Sequence, residues 1–312
     1  MKSLNGSTPD PRTLSRRDFV RGAAGAALVG ASTTLTGSSV LPSLMASSET
    51  RGSKMQFGLV TYLWGKDWDL PTLLHNCEAS KVLGVELRTT HAHKVERDLN
   101  AKQRAAVKAR FADSPVELVG IGSNERYDNP DPAVVKKAID ATNAFTKLSH
   151  DVGGSGVKVK PDRFHDGVPR EKTIEQIGRS LNAVARYAAD YGQQIRLEVH
   201  GQCAHLPTIR QIIDVADHSN LAVCWNSNDQ DLEGKGLRHN FHLVKHRFGK
   251  TAHVREFNVG KYPYQQLVDL FVQLDYDGWI LLEARTKPED PIAALIKQRE
   301  LFSMLVKKAQ YA

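Results

Sequence analysis

The chain has 312 residues, of which 41% are hydrophobic, 25% charged and 7% aromatic. That mixture excludes disorder, collagen and disulfide-stapled scaffolds and leaves room for one large core. The net charge of +7 does not point to nucleic acid: five basic residues against two acidic ones before residue 47 carry +3 of it, and the remaining Lys and Arg alternate with Asp and Glu as on a solvated surface. Cys77, Cys203 and Cys224 lie far apart without C-x-x-C spacing, so neither a zinc knuckle nor a disulfide framework is expected.

Near the start, Ser15-Arg16-Arg17-Asp18-Phe19-Val20-Arg21 precedes a weakly apolar stretch rich in Gly, Ala, Ser and Thr, too weak to span a membrane. It resembles a bacterial twin-arginine signal, so residues 1–48 are taken as signal peptide and linker. The resemblance implies the twin-arginine translocase as a partner during export of an already folded protein. The expected location is periplasmic or extracytoplasmic, with cleavage near Ala46 or Ser48, or a membrane tether if the signal is kept.

From Gln56 onward, short β-branched runs alternate with longer amphipathic segments. Strands are expected at Gln56–Tyr62, Gly84–Thr89, Val116–Ile121, Gly156–Lys160, Ile195–His200, Leu221–Asn226, Thr251–Phe257 and Gly278–Glu283. Helices are expected at Leu70–Val82, Ala101–Ala112, Pro132–His150, Arg170–Tyr191, Pro207–His218, Leu237–Phe248, Tyr262–Leu274 and Pro291–Lys308. Eight strand and helix units over residues 55–309 predict a single (β/α)8 TIM barrel. A doubly wound open sheet would carry a glycine-rich phosphate turn after its first strand, where this chain has Tyr62-Leu-Trp-Gly-Lys-Asp.

Barrel strands alternate between helix-facing and interior residues. This parity turns Glu86 and Arg88, Lys158 and Lys160, Arg196, Glu198 and His200, and His253 and Arg255 inward, and puts Glu283 on the face of Trp279 and Leu281. Buried charges are expensive unless paired or metal-bound, so a polar site is expected at the C-terminal ends of the strands, where barrel enzymes place their chemistry. Glu198, Asn226 or Asp229, His253 and Glu283 end successive late strands, and the steps Glu198 to Asn226, Asn226 to His253 and His253 to Glu283 each span one unit. Carboxylates, an imidazole and one further oxygen suit a divalent ion, manganese foremost, with magnesium, cobalt and zinc as the alternatives. His91, His93, Lys158, Lys160, His200 and Arg255 are the candidate substrate-binding residues. Cys224 reads as core.

The segments Ile195-Arg-Leu-Glu198-Val-His200-Gly, Val223-Cys-Trp-Asn226-Ser-Asn-Asp229, Ala252-His253-Val-Arg-Glu256 and Trp279-Ile-Leu-Leu-Glu283 resemble the xylose isomerase-like TIM-barrel superfamily, in particular its sugar phosphate isomerase/epimerase group. The resemblance covers about residues 56–308. It implies metal ligands Glu, Asp, His and Glu, which map onto Glu198, Asn226, His253 and Glu283, with Asn226 standing where Asp is usual. Asp229 stands where relatives often have His and either restores the lost charge or acts as a base.

The implied reaction is isomerisation or epimerisation by α-proton abstraction through an enediolate. Glu198 and Glu283 act as acid and base on a sugar or glycoside, whether the chain works alone or as a homo-oligomer. Two alternatives stay open: a metal-assisted lyase or hydrolase of 3-keto-glycosides, and a non-catalytic sugar-binding barrel.

Overall fold

The computed structural model describes residues 50–312; the twin-arginine-like segment lies outside the described residues. The elements follow in the order β1 (Gln56–Val60), α1 (Leu70–Ser80), β2 (Gly84–Arg88), α2 (Ala101–Ala112), β3 (Glu117–Arg126), α3 (Pro132–Val152), β4 (Gly156–Lys160) and α4 (Arg170–Asp190). The second half continues with β5 (Gln194–Glu198), α5 (Leu206–Val215), β6 (Leu221–Asn226), α6 (Gly236–Val244), β7 (Phe248–Val254), α7 (Tyr264–Gln273), β8 (Trp279–Leu282) and α8 (Pro291–Gln310). The eight parallel strands close into a barrel in sequence order. β8 returns to β1 through pairings from Gln56–Trp279 to Leu59–Leu282. This is the TIM barrel that the strand and helix alternation predicts.

The helix boundaries have local causes. Asp69, Asp131 and Asp290 each accept a hydrogen bond from a backbone N–H of the first turn, and each of these helices carries a proline within its first two positions, where a missing N–H is harmless. Asn100 and Gln103 form a reciprocal capping box at α2. α3 stops where Gly153 adopts φ 93°, a conformation that suits glycine.

Two strands differ from the expected bounds by three residues or more at an end. β7 begins at Phe248, three residues before the expected Thr251, because Phe248 packs into an aromatic cluster 4.9 Å from Phe241 and 5.6 Å from Phe271. The strand also ends at Val254, short of the expected Phe257, so Arg255 lies beyond it, where its Nη2 donates to Asn228 Oδ1 at 2.9 Å. β3 runs on to Arg126 across an irregularity, with Arg126 opposite Lys160. That extension carries Asn124 and Arg126 to the barrel mouth instead of into a free loop.

Most apolar side chains pack between strands and helices, while Val60, Val119, Trp279 and Leu281 form a separate cluster. Glycines make room inside the barrel. A Cβ at Gly156 would lie 2.4 Å from the Gln194 carbonyl oxygen and 2.9 Å from Arg196 Cζ. The space admits the Arg196 guanidinium, which donates to Val119 O (3.0 Å), Ser155 Oγ (2.7 Å) and Gln194 Oε1 (3.2 Å). A buried arginine is tolerated because neutral oxygens take its donors. No described helix is long and apolar enough to cross a membrane.

Gly156→Ala forces Arg196 or the neighbouring strand to move. It is expected to destabilise the barrel by about 1–3 kcal/mol, the range for overpacked interiors. Urea unfolding should show a lower midpoint; an unchanged midpoint would mean that Arg196 does not depend on this gap.

Candidate active site

The C-terminal end of the barrel is a layer of buried charge. Glu86 comes from β2, Lys158 from β4, Glu198 from β5, Asn226 from β6, His253 from β7 and Glu283 from the residue after β8. All six are buried, Glu198, His253 and Glu86 fully so. Register explains the convergence: Lys158 pairs with Arg196 two residues below Glu198, and Asn226 pairs with His253. The inward parity that the sequence shows thus becomes a cluster.

Glu198, His253 and Glu283 present ligand atoms that all lie within 4.8 Å of one another. His253 Nδ1 stands 3.5 Å from Glu198 Oε1, and its Nε2 stands 3.3 Å from Glu86 Oε1. Neither ring nitrogen makes an aligned hydrogen bond, and Glu198 Oε2 and Asn226 Oδ1 are also buried without one. Buried ligand atoms without an aligned hydrogen bond fit a bound divalent cation, although Glu198 Oε2 is already ion-paired with Lys158. Glu86 occupies the place of a carboxylate that orients a ligating imidazole through its second nitrogen. Glu198, His253 and Glu283 would hold such an ion, and Asn226 would reach it through its amide oxygen.

Of the two alternatives at the sixth strand, the structure brings in Asn226 and not Asp229. Asp229 is exposed at the start of a short 3-10 turn, Asp229–Leu232. The chain is turned away there by Asn228, whose Nδ2 donates to Val199 O at 2.9 Å and Asn226 O at 3.0 Å and whose backbone N–H donates to Asp231 Oδ2 at 2.9 Å. Asn226 Nδ2 donates to Glu198 Oε1 at 2.7 Å and approaches Glu283 Oε2 at 3.3 Å, so the amide bridges the two carboxylates.

Lys158 Nζ lies 2.7 Å from Glu198 Oε2. Burial works against its charged form, but Glu198, Glu86 and Glu283 outweigh that penalty and hold its pKa above the ordinary lysine value. Burial likewise opposes ionised Glu198, while Lys158 and His253 keep it well below the usual carboxylate range. For His253, burial is outweighed by Cys224, Glu86 and Glu198, and its pKa stands well above the usual imidazole value.

The other expected substrate contacts divide into two groups. Lys160 donates to Asn124 Oδ1 at 3.3 Å, an oxygen shared with Arg88 Nη2 at 2.9 Å. Burial and the Lys158 charge push Lys160 down to about 8. Arg88 also lies over the Tyr62 ring, 4.9 Å from its centroid. His91 is half-buried beside Thr61. His93 is different: its Nδ1 accepts from Val95 N at 3.0 Å and its Nε2 lies 2.8 Å from Arg88 O. Both nitrogens serve backbone groups, one at the end of β2 and one in the loop after it, which leaves none for a substrate. Arg255 is tied to Asn228 as described above.

His200 Nδ1 is 2.8 Å from Asp162 Oδ1, and Arg126 holds the other Asp162 oxygen. The His200 bond, against burial, brings Asp162 down to about 2, with Arg126 assisting. The sequence reading missed Asp162 and Asn124. Asp162 follows a proline and adopts φ 63°, which no periodicity reveals. Glu86 was legible as inward, and only its partnership with His253 is new.

Residues 74–302 match the family model for the xylose isomerase-like TIM barrel, and the chain belongs to that family. No curated protein matches the sequence. Among solved structures, the chain is similar to a 3-keto-D-glucoside 4-epimerase from E. coli in its apo form, at 14% identity and TM-score 0.68, over 80% of this chain and 99% of that one. It is also similar to an L-ribulose 3-epimerase, at 16% identity and TM-score 0.68, over 82% and 96%. A third is the IolI protein with a bound zinc atom, at 14% identity and TM-score 0.68, over 81% and 99%.

Burial foremost, with the nearby His93 and Arg88 adding to it, takes His91 from 6.5 down to about 4. The unfolded chain therefore binds the proton first, and the stability contributed by neutral His91 declines as pH falls from 6.5 toward 4. Histidine NMR should give His91 a midpoint near 4; a midpoint near 6.5 would mean that it stands in open solvent.

Proposed function

We propose that the protein is a divalent-metal-dependent isomerase or epimerase of a sugar or glycoside. The observation that carries this reading is the convergence of buried Glu198, His253 and Glu283 at the C-terminal end of the barrel, where neither His253 nitrogen nor Asn226 Oδ1 makes an aligned hydrogen bond. The family, and structural neighbours named as sugar epimerases, support the substrate class. The zinc-bound neighbour supports a metal. We further propose that the chain acts beyond the cytoplasmic membrane after export by the twin-arginine route, where free sugars and glycosides are the expected substrates.

A bound divalent ion would supply Lewis acidity toward a carbonyl and its neighbouring hydroxyl. The chain's own residues do the rest. Glu198 and Glu283 are the two carboxylates available to take and return the proton beside the carbonyl. Before an ion binds, the Asn226 amide bonds to both and sets their separation, so the two carboxylates are already spaced when a substrate arrives. At the mouth, Lys160, Arg88 and neutral His91 offer hydrogen bonds to hydroxyl groups, and Tyr62 offers an aromatic face. His200, oriented by Asp162, is the remaining group with proton-transfer chemistry at the rim.

The test is solvent deuterium exchange. Manganese-loaded protein is incubated in D2O with ketohexoses and 3-keto-glycosides, and label is sought at the carbon beside the carbonyl. Wild type should incorporate deuterium, and Glu283→Gln should lose at least about 10²-fold in rate, the scale of a lost general base. Incorporation accompanied by aglycone release would move the assignment to the lyase. Retained ligand affinity with no exchange in either protein would make this a binding barrel.

A further inference from the structure

The centre already contains a cation. Lys158 Nζ is fully buried, touches Glu198 Oε2 at 2.7 Å and makes no aligned hydrogen bond. An ammonium carries three donors, and this one satisfies its charge chiefly through Glu198. On the other side of the same carboxylate, Asn226 Nδ2 donates to Oε1 and bridges to Glu283. The two oxygens of Glu198 are therefore engaged, one by a charge and one by an amide donor, in a cage that offers only two ligating carboxylates because Asn226 brings none.

We infer that Lys158 and Asn226 act together as an internal substitute for the divalent ion, the ammonium balancing Glu198 and the amide holding Glu198 against Glu283. The consequence, which rests on the metal reading above, is a cage that stays assembled without metal and takes up a divalent ion weakly and exchangeably. An incoming dication must face the Lys158 charge across Glu198 at low effective dielectric, and the Asn226 amide must turn its oxygen inward before it can ligate. Unlike a structural metal site, whose metal contributes directly to folding, this one does not need its ion for stability.

Free Mn²⁺ is read by its EPR signal in titrations of wild type, Lys158→Met and the double variant Lys158→Met/Asn226→Asp. Lys158→Met should bind Mn²⁺ at least about 10-fold more tightly than wild type, and the double variant at least about 100-fold, since a charged ligand is added as a competing charge is removed. Equal micromolar binding by all three overturns the competition and leaves the metal reading intact. Absence of binding in all three overturns both. A second measurement needs only wild type: 1 mM Mn²⁺ should raise its melting temperature by less than about 2 °C, because a ligand near its dissociation constant stabilises little. A rise above about 8 °C would show a tight site and overturn the inference even if the variants fail to fold.

Discussion

The ion pair between Lys158 and Glu198 sets the terms for the whole barrel mouth. Two opposite charges with almost no exposure persist only because each compensates the desolvation of the other. Removing either leaves a charge in a cavity that also holds Glu86, Glu283 and His253. The pairing fixes Glu198, Glu198 anchors Asn226, and Asn226 reaches Glu283. A chain of three short contacts thus positions both carboxylates that the proposed proton transfer requires.

The scaffold makes that chain of contacts rigid. Each participant sits on or immediately after a strand, and the strands are locked by closure of the barrel and by the aliphatic layer beneath the helices. Interior glycines matter here as much as the charged residues, since Gly156 admits Arg196 and a Cβ at Gly122 would lie 2.7 Å from Glu86 Oε1. The loops beyond the strands hold the more adaptable groups. His200 with Asp162, and Lys160 and Arg88 with Asn124, surround the entrance, where a hydroxylated ligand would be oriented.

Much of this was legible in the sequence because two periodicities reinforce each other. Alternation within each strand placed Glu86, Lys158, Arg196 and Glu198 inward, and the roughly constant unit length brought the late strand ends, Glu283 among them, to one level. Where the structure departs from that reading, other physics intervened. An aromatic cluster drew Phe248 into β7, and the strand stops at Val254, short of Arg255. A capping asparagine turned Asp229 outward. His93 was consumed by its own loop's backbone. Asp162 and Asn124 were invisible because a left-handed residue and an irregular strand extension have no hydrophobic period to betray them.

The central claim is that one divalent ion binds among Glu198, His253 and Glu283. Anomalous diffraction from crystals grown in high manganese tests it without reference to any substrate. The account predicts one peak within ligating distance of those three residues, with Asn226 turned toward it and Asp229 remote. A fully ordered barrel with no peak there, or a peak held by other residues, would contradict it.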